Sequence, residues 1–393
     1  MIGVRRRLAG AALALVLLAG ATVPSAAAFT DAGRVRSALG TVGTEPELFT
    51  GVAAGDGFSL GWDAAGDLFS WGLNDQGQLG RGRTGGTHVR PDRVAIPADQ
   101  HVVHAAAGVD HAVALTTDGA VWAWGSPDAG RHTATPRRLT LFDDVPGTVV
   151  GVDAGGHFSL AWTSDGALYS WGLADQRLGR PVDGGGDGLA DPARVTAQGL
   201  DARVVVHAAA GRFHGDAVVD GGVVAWGQDY GGAGGVALTG LPEGAAVGTA
   251  AGTADSLVWT ADGELYRTRA GTEATQRVSG LADVVGAAVS APDVGEAGLW
   301  AWTGSGRLWA WGSNEGGKLG VGDPDGWFSA PSVVVLADGS APRMIGAGGN
   351  HTLYDATDGH YAAAGDNTHG QLGDGTTSGR TRFALIIPVF RWP

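Results

Sequence analysis

Residues 105–125 read AAAGVDHAVALTTDGAVWAWG. The pattern predicts two short strands, residues 113–115 and 120–124, joined by a tight turn at Asp118-Gly119. A two-residue hairpin turn needs positive φ, which glycine supplies without a Cβ clash. The second strand is apolar throughout, the mark of a strand covered on both faces. The stretch recurs around residues 53–72, 153–172, 209–227, 250–269, 290–312 and 346–365. The turn glycines are Gly66, Gly119, Gly166, Gly222, Gly263, Gly306 and Gly359, about 49 residues apart on average. A period of that size built from strands and turns is the signature of a solenoid or propeller.

Between hairpins each unit carries a Gly-rich loop and then a strand led by Pro or Arg: residues 91–96, 136–141, 192–196, 236–241, 276–281, 331–336 and 382–387. Proline at a strand start removes no ladder bond. Adding the Ala-Ala-Gly segment before each hairpin gives about four strands per unit. The expected fold is therefore all-β, a seven-bladed β-propeller. The first hairpin has no such strand before it, and the last unit has one with no hairpin after it. The reading that follows is that residues 382–387 complete the first blade, so the C-terminal strand closes the ring and removes exposed sheet edges.

Residues 1–28 have the layout of a cleaved signal peptide. Arg5, Arg6 and Arg7 form a basic start, residues 8–21 an apolar run too short for a span, and Ala26-Ala27-Ala28 a small-residue cleavage site before Phe29. Residues 29–48 read as an irregular leader, and residues 49–393 as one propeller domain. The chain has no cysteine, which removes disulfides and thiolate chemistry. Its net charge is −14, and residues 1–28 hold three Arg and no acid, so the processed chain carries −17. Such a surface does not hold nucleic acid through bulk charge and is repelled by anionic membranes. Lys318 is the one lysine among 26 Lys and Arg, a bias of GC-rich bacterial genomes.

The segments WGLNDQGQLGRG (71–82), WGSNEGGKLGVG (311–322) and GDNTHGQLGDG (365–375) resemble the regulator of chromosome condensation repeat family. The resemblance spans residues 49 to about 387 and implies a seven-bladed propeller. Its branches include a nuclear exchange factor for the GTPase Ran, a plant ultraviolet photoreceptor, and secreted bacterial members such as an inhibitor of β-lactamase. The signal peptide and the acidic charge point to the secreted bacterial branch. Some units depart from the pattern: Thr268-Arg269 replaces Trp-Gly in the fifth, residues 291–297 replace the Ala-Ala-Gly lead in the sixth, and the fourth has a shortened loop at 228–236.

The chemically capable residues are mostly periodic. His111, His214 and His351 share one repeat position, and His104 and His207 another. One histidine per blade does not converge as a metal site requires, so these are expected to hydrogen-bond between strands or blades. Trp71, Trp124, Trp171, Trp226 and Trp311 form one periodic set, and Trp62, Trp162, Trp259 and Trp302 another; both predict blade-to-blade contact. Asp183, Asp187 and Asp191 lack the alternation of a calcium loop. No nucleophile elbow, phosphate loop or zinc-protease motif occurs, so no catalytic residue, metal or other cofactor is assigned.

Trp327 and Phe328 stand outside the pattern, in the insertion DPDGWFSA (323–330). Aromatics on a loop rimmed by Gly and Asp are interface material, and Tyr230 in the shortened fourth loop is a second candidate. The function these observations imply is a secreted, non-enzymatic binding protein that presents propeller loops to a protein partner and is itself a monomer. The alternatives are a cell-surface glycan or cell-wall binding module, and then an exchange factor or an enzyme with a site in the central channel.

Overall fold

The computed structural model describes residues 49–126, 133–182, 188–293, 295–336, 341–356 and 360–386. The signal peptide, the leader, Asp183, Asp187 and the turn at Gly359 lie outside the described residues. Seven four-stranded antiparallel sheets follow one another, each drawn from a continuous stretch of chain. The first blade runs Phe49–Ala54, Phe58–Asp63, Leu68–Leu73 and Thr87–Arg93, from the centre outward. The other six repeat this order, so the architecture is the seven-bladed all-β propeller that the repeats imply.

The expected closure is wrong. The last strand, Arg380–Ile386, pairs with Tyr361–Gly365 in its own blade and adds no strand to the first, against which its Ile386 side chain packs. The strand that follows each hairpin is the outer strand of the same blade, not the start of the next. Blades seven and one instead meet side by side. Trp71 Nε1 donates to the Gln371 carbonyl at 2.8 Å, and Gly375 N–H to the Val89 carbonyl at 2.8 Å. Five of the outer strands, all but those of blades two and five, also begin earlier than expected. Pro91, Pro192 and Pro331 lie within them, where the pairing register shifts. An edge strand at a bulge is where a missing N–H costs least.

The repeat motif has a physical account. In WGLNDQGQLG, Asn74 Oδ1 accepts the Leu79 N–H at 3.1 Å, while Asn74 Nδ2 donates to the Arg83 carbonyl at 2.9 Å. The asparagine thus pins a turn that buries Leu79 completely. Asn314 with Leu319, and Asn367 with Leu372, repeat the arrangement. Gly80, Gly179 and Gly373 lie beneath the indoles of Trp124, Trp226 and Trp71 of the next blade; a Cβ at Gly80 would sit 2.8 Å from Trp124. In blade seven Ala364 stands where the tryptophan belongs. Phe383, on that blade's outer strand, occupies the slot over Gly320 instead.

A second glycine set seals the centre. Gly55, Gly108, Gly155 and Gly211 directly follow four innermost strands, and a Cβ on each would lie 2.1–2.4 Å from a backbone carbonyl of the following blade. That contact brings the blades close enough for hydrogen bonds such as Gly156 N–H to the Gly211 carbonyl, 3.1 Å, and Arg212 N–H to the Gly252 carbonyl, 2.9 Å.

Candidate functional site

The periodic histidines do what their spacing implies. His111 meets Ser159 at 2.9 Å, His214 meets Ser256 at 2.9 Å, and His351 meets Ser59 at 2.8 Å, each across a blade seam. Where Phe58 and Phe158 replace the histidine, the facing position of the next blade is Ala112 or Gly215, with no hydroxyl. All three imidazoles are buried, and burial lowers their pKa to about 4. They are neutral seam pins. Among the described residues no group of three or more His, Asp or Glu could hold a metal ion.

The three aromatic candidates separate. Trp327 is 49 % exposed, but it opens the outer strand Trp327–Val334 of blade six and does not sit on a free loop. Phe328 pairs opposite Gly312 and packs, half-buried, into the hydrophobic clusters on both sides of its blade. Tyr230 is buried, its ring 5.0 Å from His214, so it is not presented to a partner. The shortened fourth loop folds inward and fills the seam beside blade five, where Thr268 stands in place of the usual tryptophan.

The second tryptophan set packs between blades as its spacing implies, and three of its members, Trp162, Trp259 and Trp302, also border the central channel. Each innermost strand carries a bulge one residue after it starts, at Thr50, Val103, Val150, Val206, Val247, Val285 and Arg343. The bulge turns that side chain out around one mouth of the central channel. Val103, Val150, Val206 and Val285 are 40–46 % exposed, with Val204 beside them at 57 %. Four of the seven bulge positions on this rim thus carry an exposed valine, while blades one and seven carry Thr50 and Arg343 there.

The next residue along each strand faces the channel. In four blades it is glycine, and the tryptophan opposite lies over it: Trp62 on Gly51, Trp162 on Gly151, Trp259 on Gly248 and Trp302 on Gly286. A Cβ on these glycines would fall 2.0–2.2 Å from the indole. In blades two and four His104 and His207 take the glycine's place, opposite the smaller Leu115 and Val218. The result is an aromatic belt just inside the rim. His207 lies between Trp162 and Trp259 at 5.6 and 5.7 Å, and His104 meets Trp62 edge-on at 5.7 Å. Burial lowers both imidazoles to about 4, so they are neutral.

Beyond the belt the channel is walled by alanines and encloses a cavity of about 690 Å³, well within the range of ligand sites. Two polar residues interrupt the wall, Thr249, whose hydroxyl is turned to Asp216, and Asp153. Asp153 stands where the other blades carry Ala53, Ala106, Ala209, Ala250, Ala288 and Gly346. Its carboxyl accepts the N–H groups of Ala154 at 2.9 Å and Ala210 at 2.8 Å. Burial raises its pKa to about 6 against those two bonds. A smaller pocket of about 400 Å³ at the other mouth is lined by Asp56, Asp75, Asp110 and Asp366.

The sequence matches the regulator of chromosome condensation (RCC1) repeat over residues 65–115 and 305–354, and again over 102–131. The chain belongs to the regulator of chromosome condensation repeat family. It is 30 % identical over 364 residues to the human E3 ubiquitin-protein ligase HERC2, covering 85 % of this chain and 7 % of that protein. It is 39 % identical over 84 residues to the dog X-linked retinitis pigmentosa GTPase regulator, covering 21 % of this chain and 8 % of that one. The chain thus spans only a small part of these relatives. Among solved structures, Prp20p of Saccharomyces cerevisiae superposes with a TM-score of 0.65 at 22 % identity, over 76 % of this chain and 80 % of the other. That structure is described together with its binding to Gsp1p and histones, and another holds yeast RCC1 with Kap60. Propellers of this family bind protein partners.

Sequence reasoning missed the valine rim, the channel-facing belt and Asp153. A signal for Asp153 existed, as one carboxylate in a repeat column of small residues. The rim had none, because a Val-Val pair at a strand start does not reveal which valine a bulge expels.

Proposed function

We propose that this chain is an exported, non-enzymatic binding protein that holds a protein partner on the valine-rimmed mouth of its central channel. The exposed valines on the rim, from blades two, three, four and six, carry the reading. Exposed apolar side chains gathered on one rim are the kind of surface that soluble proteins keep for a partner. The aromatic belt behind it supplies the pocket in which interface hot spots form. Export rests on the layout of residues 1–28.

A photoreactive amino acid placed at Val206 or Val285, and separately at Val335 on the outer edge of blade six, tests the site. One discrete crosslinked partner from the rim positions and none from Val335 is expected. Equal capture from all three refutes the rim. The mass of the protein in the culture medium tests export: a chain beginning at Phe29 is expected, and an unprocessed chain held in the cell contradicts it.

A further inference from the structure

The channel behind the rim has two chemically different sides. Blades five to seven contribute the apolar Trp259, Trp302 and Met344 together with Thr249 and, at the rim, Arg343. Blades two, three and four contribute His104, Asp153 and His207 in succession. Asp153 lies two residues along its strand from Gly151, the residue covered by Trp162. Two residues on one strand face are about 7 Å apart. A molecule entering past the rim therefore meets the indoles first and the carboxyl one layer deeper.

The polar groups on that side are mostly acceptors. A carboxylate offers about four lone-pair sites, and two of Asp153's are taken by backbone N–H groups. His104 Nδ1 has no partner among the described residues. The remaining charged groups lining the cavity are Asp56 at the far mouth and Arg343 at the rim, and the Arg343 guanidinium is held by Asp355 at 2.9 Å. The net charge of −14 adds a long-range field that draws in cations.

We propose that the channel binds an organic cation, an ammonium or guanidinium group on an apolar stem of about four carbons, with the head on Asp153 and the stem against Trp259 and Trp302. The neutral imidazole of His104 can accept an N–H from the head, and that of His207, whose Nδ1 already accepts the Thr249 N–H, adds no charge to repel it. The site stands apart from protein docking on the rim: it can be occupied by a free amine or by a lysine or arginine side chain of a docked partner.

Isothermal titration calorimetry on the purified protein with three probes tests this. They are n-butylammonium, its neutral counterpart 1-butanol, and Nα-acetyl-lysine methylamide. At pH 8 n-butylammonium is expected to bind in preference to 1-butanol. Its affinity should fall about tenfold at pH 5, because a carboxyl with a pKa of about 6 is then about one-tenth ionised. Asp153→Asn should lose a similar factor at pH 8, and the wild-type pH profile tests the same point without a substitution. Binding of the blocked lysine as well as the free amine supports a partner's side chain as the guest. Binding of n-butylammonium only supports a small molecule. The proposal is overturned if 1-butanol binds as tightly as n-butylammonium, if affinity is flat from pH 8 to pH 5, or if neither amine binds. Failure here leaves the crosslinking result at the rim untouched, so the two readings fall separately.

Discussion

Replacing Asp216 with Asn should stabilise the protein at neutral pH and flatten its response to pH. Asp216 is fully buried in the second strand of blade four, where the other blades carry Leu60, Val113, Leu160, Leu257, Trp300 and Leu353. Burial raises its pKa from 3.8 to about 7, against hydrogen bonds from Ser256 and Thr249; the Thr249 hydroxyl is 3.2 Å away. A pKa raised in the folded state means that folding favours the protonated form. Asp216 therefore costs little below the unfolded value of 3.8. Its cost grows as pH rises, and it is complete above the folded value of about 7. About three pKa units at about 1.4 kcal/mol each come to about 4 kcal/mol. Urea denaturation of wild type and Asp216→Asn at pH 4 and pH 8 isolates the effect, since Asp153 titrates alike in both. The advantage of the variant should grow by about 4 kcal/mol between the two pH values. A difference that does not change with pH would show that the carboxyl is solvated or paired in the folded protein, and the reasoning fails.

Other consequences of the blade geometry can be measured in the same way. Gly155→Ala places a Cβ 2.1 Å from the Gly211 carbonyl and should cost several kcal/mol, whereas Gly222→Ala, whose nearest neighbour is 3.8 Å away, should change the melting temperature little. A double-mutant cycle on His351 and Ser59 should give a coupling of about 1 kcal/mol across the seam that closes the ring, and zero coupling would deny the pin. Phe383→Ala opens a cavity over Gly320 and should cost about 3–5 kcal/mol in chemical denaturation. Trp327→Ala should leave stability nearly unchanged while Phe328→Ala lowers it, because one ring is exposed and the other is packed.

What could be read from the sequence was whatever repeated. The Asp-Gly and related turns, the buried second strands and the seam histidines recur with the blade, and their recurrence carries the architecture. The phase did not follow, because a strand reached through a long loop can end one blade or begin the next, and only pairing decides which. Residues 382–387 were misplaced for that reason. The site is legible only in part. Trp327 stood out as an aromatic off the pattern and is exposed, but Tyr230, the weaker candidate, turns inward, because the shortened loop brings it over His214. The rim valines look like ordinary strand residues until a bulge turns them outward, and Trp162 and Trp302 are the seam residues that their spacing implies but also border the channel, which the spacing does not reveal.

The valine rim is the centre of the functional reading, and one affinity comparison tests it. The captured partner is titrated against wild type, against a Val206→Lys and Val285→Lys double variant, and against Val335→Lys as an exposed control. If the rim is the interface core, the double variant loses about 2 kcal/mol or more, about thirtyfold in Kd, while the control binds like wild type. Unchanged affinity in the double variant, or an equal loss in the control, would contradict it.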